Sequence, residues 1–370
     1  MSSIHHSPLR WDGWLPPVIG LGAALALGLS ASGWLALPVF ALLLLSVRAA
    51  VHHAETVAAR VGEPFGTLVL AIAVTVIEVA LVASMLLDSG PPKPTLVRDT
   101  LHAVVMLVAA GLTGLCIVLA ALRHREPGFN AGGATALLSV VAALATLVLI
   151  LPNHTRAAPG PEFSPVQLIT VAGLCLLLWL VFVLVQTVFY RSYFIPEQPR
   201  TAVLESVGAS LEAIDVRPGP REAGIAAGLL LLALVAVVLL AKTVAPVIGG
   251  TVTALGLPEA VGGVVVAAIV LMPETATALR AALADRLQAS LNLALGSAIA
   301  TIGLSVPILV ALALWQGIPL QLGVSDADTV LLALTFLIGM LALSGSITNL
   351  LQGCVLLVVF AAWLMAVFIP

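Results

Sequence analysis

Residues 63–86 read EPFGTLVLAIAVTVIEVALVASML, and residues 259–283 read EAVGGVVVAAIVLMPETATALRAAL. Each stretch opens on a glutamate, has a glycine three positions on, and carries a second glutamate twelve positions beyond that glycine. The residues are Glu63, Gly66 and Glu78 in the first copy, and Glu259, Gly262 and Glu274 in the second, at a constant offset of 196. A repeat at fixed offset is read first because it fixes architecture. The inner part of each copy is nearly all apolar, the composition of a helix crossing a bilayer, which needs roughly 20 such residues. A carboxylate near the middle of such a helix costs about 2.5–3.5 kcal/mol on a translocon-insertion scale. Two of them at equivalent places point to function.

The rest of the chain agrees with a membrane setting. Of 370 residues, 61% are hydrophobic and only 9% are charged, against roughly 25% charged in an average soluble domain. Mean hydropathy is +1.17, which excludes a soluble cytosolic enzyme. The net charge of -3, with no basic run, offers no footprint for nucleic acid, whose phosphates demand clustered Lys and Arg. Cys116, Cys175 and Cys354 lie in apolar runs without metal-ligand spacing and read as small core residues. His5, His6 and Arg10 precede the first apolar run, which continues too far for a cleaved signal peptide and reads as a retained span.

Cutting the long uncharged runs at Ser30-Ala31-Ser32-Gly33 and Ser344-Gly345-Ser346 gives eleven helices. They cover approximately 14–31, 34–50, 65–87, 99–122, 133–151, 165–190, 222–244, 258–280, 288–314, 326–343 and 346–368. With a cytoplasmic N-terminus, eleven arginines from Arg10 to Arg286 fall inside, and Lys93, Arg98, Arg156 and Lys242 fall outside. That asymmetry satisfies the positive-inside rule and leaves the C-terminus outside. The two repeat copies sit on spans 3 and 8, an odd separation, so they enter the membrane from opposite sides. The fold class is therefore an all-α membrane protein with two inverted-topology five-helix repeats plus an extra N-terminal helix, an architecture common in secondary transporters. The expected organisation is the extra helix in 1–33, one repeat in 34–190, a cytoplasmic connector in 191–221 and the second repeat in 222–370. Within the connector, Val203, Leu204, Val207, Leu211 and Ile214 recur at helical spacing, fitting a short surface helix or a solvated linker.

The chemistry follows from charge. A carboxyl group removed from water keeps a proton until a cation replaces it, so one site serves both ions in turn. Two carboxylates neutralise one Ca²⁺, which takes six to eight oxygen ligands. Pro273 lacks an amide hydrogen, which frees the Ile269 carbonyl and predicts a helix break beside Glu274. Thr75, Thr275, Asn292 and Ser297 are accessory ligand candidates, and Glu63 and Glu259 would attract cations at the two vestibules. Each has a plainer reading. A buried glutamate can be a protonated interhelical donor, and Asn292, Ser297, Gln186 and Asn349 can be helix–helix glue. Glu63 and Glu259 can be ordinary interfacial residues. His102 can relay protons or simply pack, and His52-His53 reads as a cytoplasmic helix end.

Three longer stretches carry a family likeness: residues 52–87, residues 94–108, and LMPETATALRAALADRLQASLNLALGSAIATIGLSVPILV at 271–310. Together with Gln186 and SITNLLQG at 346–353, they resemble the calcium/proton antiporters of the cation/calcium exchanger superfamily, in particular the bacterial ChaA-type branch. The resemblance implies eleven spans, two inverted five-helix halves, exchange of Ca²⁺ and in this branch also Na⁺ or K⁺ for H⁺, and Glu78 and Glu274 as the essential acids. One departure stands out. The wider family typically has Gly-Asn before each acid and a His after the second, whereas Val76-Ile77 precede Glu78, and Met272-Pro273 and Thr275 flank Glu274. The missing amides imply a broader cation range.

The sequence therefore predicts a cation/proton antiporter of the bacterial inner membrane working by alternating access. It needs no cofactor beyond the transported ions, and no nucleic acid or obligate protein partner. A cation channel or sensor would use the same buried acids. An intramembrane enzyme would need a nucleophile with its base, or a metal cluster, and the spans hold neither.

Overall fold

The computed structural model describes residues 11–27, 35–62, 65–87, 93–194 and 218–369. Ten helices in it are long and apolar enough to cross a membrane, and an eleventh, shorter one precedes them. In chain order they are α1 (Trp11–Ala26), α2 (Ala36–Val61), α3 (Phe65–Leu86), α4 (Leu96–His124), α5 (Ala131–His154) and α6 (Pro165–Phe189), then α7 (Pro220–Ala254), α8 (Ala260–Leu283), α9 (Leu287–Gln316), α10 (Asp326–Leu343) and α11 (Leu350–Phe368). Among the described residues there is no strand, only two isolated bridges between loops. Glu63 and the expected surface helix at 203–214 lie outside the described residues.

Local chemistry sets the helix starts. Ser164 and Gln167 cap each other's backbone at the head of α6, with Pro165 in the first turn, where a missing N–H costs nothing. Asn349 and Gln352 do the same for α11, and the Ser325 hydroxyl oxygen accepts from Asp328 N at 3.1 Å to start α10. Asn349 is thus a cap rather than interhelical glue.

Several helix ends differ from expectation. α2 continues to Val61 rather than stopping near 50, so His52, His53 and Glu55 lie on it. His53 is fully buried, and its Nε2 lies 3.0 Å from the Gly13 carbonyl of α1. α7 runs to Ala254 and carries Lys242 and Pro246 within it. The expected break at Pro273 does not occur, because α8 is continuous from Ala260 to Leu283. A proline removes one intrahelical bond, and the tight packing of α8 on α4 holds the axis together. Irregular backbone lies elsewhere, in π-turns at Leu107–Leu112 of α4, Thr146–Ile150 of α5, Val185–Phe189 of α6 and Thr301–Ser305 of α9. Such turns are frequent at functional sites. Cys116 and Cys175 are buried as expected, whereas Cys354 is exposed on the outer surface of α11.

α1, α2 and α7 pack as one group, α8 lies on α4, the second half of α4 lies on α11, and the second half of α9 lies on α6. Several approaches between helices are close enough to require glycine, two of them beside the acids' helices. A methyl on Gly263 would sit 2.7 Å from the Asp99 and Thr100 backbone, and one on Gly303 would sit 2.5 Å from Trp179 Cβ. The bridges obey the inverted pattern. Gly128, just after α4, pairs with Ile347 before α11, and Gln321, just after α9, pairs with Glu162 before α6. Exchanging α4 with α9 and α6 with α11 converts one bridge into the other.

Candidate functional site

Glu78 and Glu274 sit in the middle of α3 and α8, where neighbouring helices remove both from solvent. Glu78 is 1% exposed and Glu274 8%. Neither oxygen of Glu78, nor Oε2 of Glu274, has a hydrogen-bond partner. Native proteins leave few buried polar atoms unpaired, and each costs about 1–3 kcal/mol. Three such oxygens on two acids mark a site that something else completes. The acids also lie within electrostatic reach of each other, so the charge on one is felt by the other.

The surroundings of Glu78 come from the π-turn of α9. The hydroxyls of Thr301 and Ser305 face its carboxyl without completing a bond of normal geometry, and Ser305 Oγ is itself buried and unpaired. Neither residue is among the candidates that the sequence singles out. A signal is nevertheless present: Ser297, Thr301 and Ser305 recur every four residues, a hydroxyl stripe along one helix face. Glu55, on the extended end of α2, lies within electrostatic reach of Glu274.

A cavity of about 330 Å³ leads to Glu274 between α3, α6, α8 and α9. Its lining includes Leu70 and Thr75 of α3, Trp179 and Gln186 of α6, and Asn292 and Thr301 of α9. The first turns of α3 and α9 and the last turns of α6 all lie at the end of the bundle that leads into residues 195–217, so the cavity is entered from the connector side. Glu274 lines it and Glu78 does not. A second cavity, about 460 Å³, lies toward the opposite end and is lined by Lys93, Thr95, Asp99, Glu259 and Met85, among others. There Arg98 Nε donates to Asp99 Oδ1 at 2.8 Å.

The accessory candidates divide. Thr75 lines the first cavity, but its hydroxyl donates to the Ala71 carbonyl at 2.8 Å, leaving its oxygen free to accept or ligate. Ser297 lines the same cavity. Asn292 lines it too, yet its amide is committed: Nδ2 donates to the Phe194 carbonyl at 2.5 Å, and Oδ1 accepts from Gln288 Nε2 at 2.7 Å. Gln288 in turn accepts from Asn130 N at 2.7 Å, so the chain of bonds ties α5, α9 and the end of α6 at the cavity mouth. Ile269 is buried within α8, and Thr275 is half-buried outside the cavity lining. Glu259 lines the opposite cavity, 15 residues before Glu274. Among the described residues no cluster of three His, Cys, Asp or Glu could hold a resident metal ion.

Two carboxyls with free oxygens, hydroxyls from a π-turn and a water-accessible route from one side can hold protons or a cation.

Comparison with known proteins covers most of the chain. A family model described as sodium/calcium exchanger protein matches residues 31–188 and 225–369. The chain is 42% identical to y4hA of Sinorhizobium fredii (strain NBRC 101917 / NGR234), over 88% of this chain and 86% of that one. It is 32% identical to the sodium-potassium/proton antiporter ChaA of Escherichia coli (strain K12), again over 88% and 86%. Its fold matches that of native YfkE with a TM-score of 0.69 at 16% identity, covering 96% of this chain and 99% of that one.

Proposed function

The chain belongs to the sodium/calcium exchanger protein family, and from that premise we propose that Glu78 and Glu274 form one site serving cation and proton alternately. The family consists of exchangers rather than enzymes, and the chain is a multi-pass membrane protein acting as a secondary active antiporter. The observation that carries the site is the pair of buried carboxyls with three unpaired oxygens, one carboxyl lining a cavity and the other behind it.

The balance of charge gives the exchange. With the site empty of cation, both carboxyls are neutral and hold one proton each. One Ca²⁺ replaces both protons without leaving net charge, and one Na⁺ or K⁺ replaces one proton. YfkE is described as a Ca²⁺/H⁺ antiporter, and ChaA is named for sodium and potassium against protons. The donor set here supports both classes. It offers two carboxylates and the hydroxyls of Thr75, Ser297, Thr301 and Ser305, while the Asn292 amide is committed to packing. Hydroxyl and carboxylate oxygens suit hard cations, and water in the cavity supplies the rest of a Ca²⁺ shell. Glu259 serves the opposite vestibule, and Glu63 is assigned by the repeat to the connector-side one.

The connector-side cavity reaches an acid, whereas the cavity at the opposite end is lined by neither Glu78 nor Glu274. Glu274 meets the cavity from the connector side while Glu78 is sealed, an arrangement that favours alternating access over a continuous channel. The halves that move past each other are residues 34–190 and 222–370. The asymmetry of basic residues assigns the connector and the N-terminus to the cytoplasm of a bacterial cell, and the C-terminus to the outer face of its inner membrane.

The deciding experiment is proton release from acid-loaded vesicles of the purified protein on addition of Ca²⁺, Na⁺ or K⁺, with Glu274→Gln as control. Cation-driven release absent from the variant is the expected result. No release with any cation from folded protein would refute antiport.

A further inference from the structure

The cavity on the connector side reaches Glu274, whereas the cavity toward the other end stops short of both acids. We infer that His102 lines the closed half of the transport path, the half that opens toward the face away from the connector. The inference rests on the antiport reading above and on exchange between inverted halves.

The correspondence is local. Thr100-Leu101-His102 occupies the second turn of α4, where Ser290-Leu291-Asn292 occupies the second turn of α9. Asn292 lines the open cavity, so the matching place on the other side falls to His102. Trp179 lines the open cavity as well, twelve residues after the capping Gln167 of α6. Trp363 follows the equivalent capping Gln352 of α11 by eleven. Glu274 lines the open cavity, and its counterpart is Glu78.

All three counterparts are sealed: Glu78 is 1% exposed, His102 5% and Trp363 1%. The His102 and Trp363 rings meet edge to face at 5.7 Å. His102 Nδ1 lies 3.8 Å from Asp328 Oδ1 at the start of α10, the end of the bundle away from the connector. Yet His102 Nε2, Trp363 Nε1 and both Glu78 oxygens lack any hydrogen-bond partner. Here unpaired polar atoms occupy all three positions whose counterparts face water across the membrane. The economical account is that they too are hydrated in the alternate state, and that Asp328, His102 and Glu78 line the way a hydrated cation or proton takes from that face.

The test uses the full chain with Cys116, Cys175 and Cys354 replaced by serine, reconstituted in vesicles of both orientations and treated with a membrane-impermeant maleimide. His102→Cys is expected to label only from the face away from the connector, several-fold faster when a cation gradient drives exchange. Asn292→Cys is expected to label only from the connector side. Trp363→Cys repeats the test at the neighbouring position should the first variant fold poorly. Labelling of His102→Cys or Trp363→Cys from the connector side overturns the inference, as does inertness of both while Asn292→Cys reacts. Cation-driven proton movement in the same vesicles separates the two readings. A chain that labels without exchanging refutes antiport and keeps the closed half-path, whereas one that exchanges without labelling refutes the half-path alone.

Discussion

Replacing Ser305 with alanine separates a ligand from a structural hydroxyl. Ser305 is fully buried, its Oγ has no partner, and it faces the equally unpaired Glu78. Without cation the hydroxyl is a cost, because an unsatisfied buried polar group destabilises by about 1–3 kcal/mol. Ser305→Ala removes it at little change in volume, so the folded protein becomes more stable. With a cation bound, Glu78 is ionised and the Ser305 hydroxyl either donates to it or ligates the ion. A hydrogen bond to a charged group contributes about 1.5–3 kcal/mol. At 1.4 kcal/mol per factor of ten, the apparent cation KM rises about tenfold to a hundredfold. Thermal unfolding in detergent without cation gives the first quantity, and cation-driven proton release gives the second. Ser290→Ala is the control, being another fully buried serine with an unpaired hydroxyl, but one beside Cys116 rather than the acids. It is expected to leave KM unchanged. A lowered unfolding midpoint with unaltered KM for Ser305→Ala would refute the ligand assignment.

Other perturbations test neighbouring links. Glu78→Gln and Glu274→Gln should each abolish Ca²⁺-driven exchange while the protein stays folded, since one carboxylate cannot alternate between two protons and a divalent cation; wild-type Ca²⁺-driven proton release from either would remove that residue from the site. Protons and cations compete for the same oxygens, so lowering the connector-side pH should raise the apparent cation KM, by up to about tenfold per unit for a single competing proton; a pH-independent KM would contradict a shared site. A carbodiimide applied without cation should modify Glu274 before Glu78, because only Glu274 lines the open cavity, and peptide mapping by mass spectrometry reads the order. Gly303→Ala should lower the unfolding midpoint, since its methyl would lie 2.5 Å from Trp179 Cβ and overpacking costs about 1–3 kcal/mol; an unchanged midpoint would mean that α6 and α9 are free to separate.

Much of the architecture is legible in the amino-acid sequence, for a physical reason. Lipid demands long apolar helices, and a carboxylate placed twice at one offset inside them has few structural uses. That is why α3 and α8, their acids and α10 at 326–343 fall where the sequence places them. The departures share a cause as well. Polarity rises at His52-His53 and near Lys242, which marks the ends of spans 2 and 7, but a helix need not end where it leaves hydrocarbon, and α2 and α7 continue to Val61 and Ala254. The missing N–H of Pro273 argues by itself for a break, whereas the contact of α8 with α4, close enough to require Gly263, holds the helix continuous. Backbone irregularity falls instead at the π-turn of Thr301–Ser305, where Pro307 lacks the N–H that would bond the Gly303 carbonyl, a proline signal that the sequence reading passed over.

What one sequence cannot specify is which side of the site is open, because inverted halves allow two packings of the same contacts. The structure breaks that degeneracy through groups that differ between the halves. On the connector side, Gln288 and Asn292 tie α9 to Asn130 and to the Phe194 carbonyl, so the polar groups at that mouth are paired among themselves and the cavity stands open beside them. At the other end the place of Asn292 is taken by His102, whose Nε2 is buried without a partner. Each state of an antiporter must leave some polar atoms unpaired, since groups that are hydrated when one path opens are dry when it closes. The unpaired oxygens of Glu78 are then neither a packing fault nor a sign of instability. On the alternating-access reading proposed above, they are the half of the site that faces away from the connector, held dry while Glu274 meets the cavity. A preference for this packing follows if protons neutralise Glu78 while it is sealed, and a bound cation that strips them makes the sealed packing costly and favours the other.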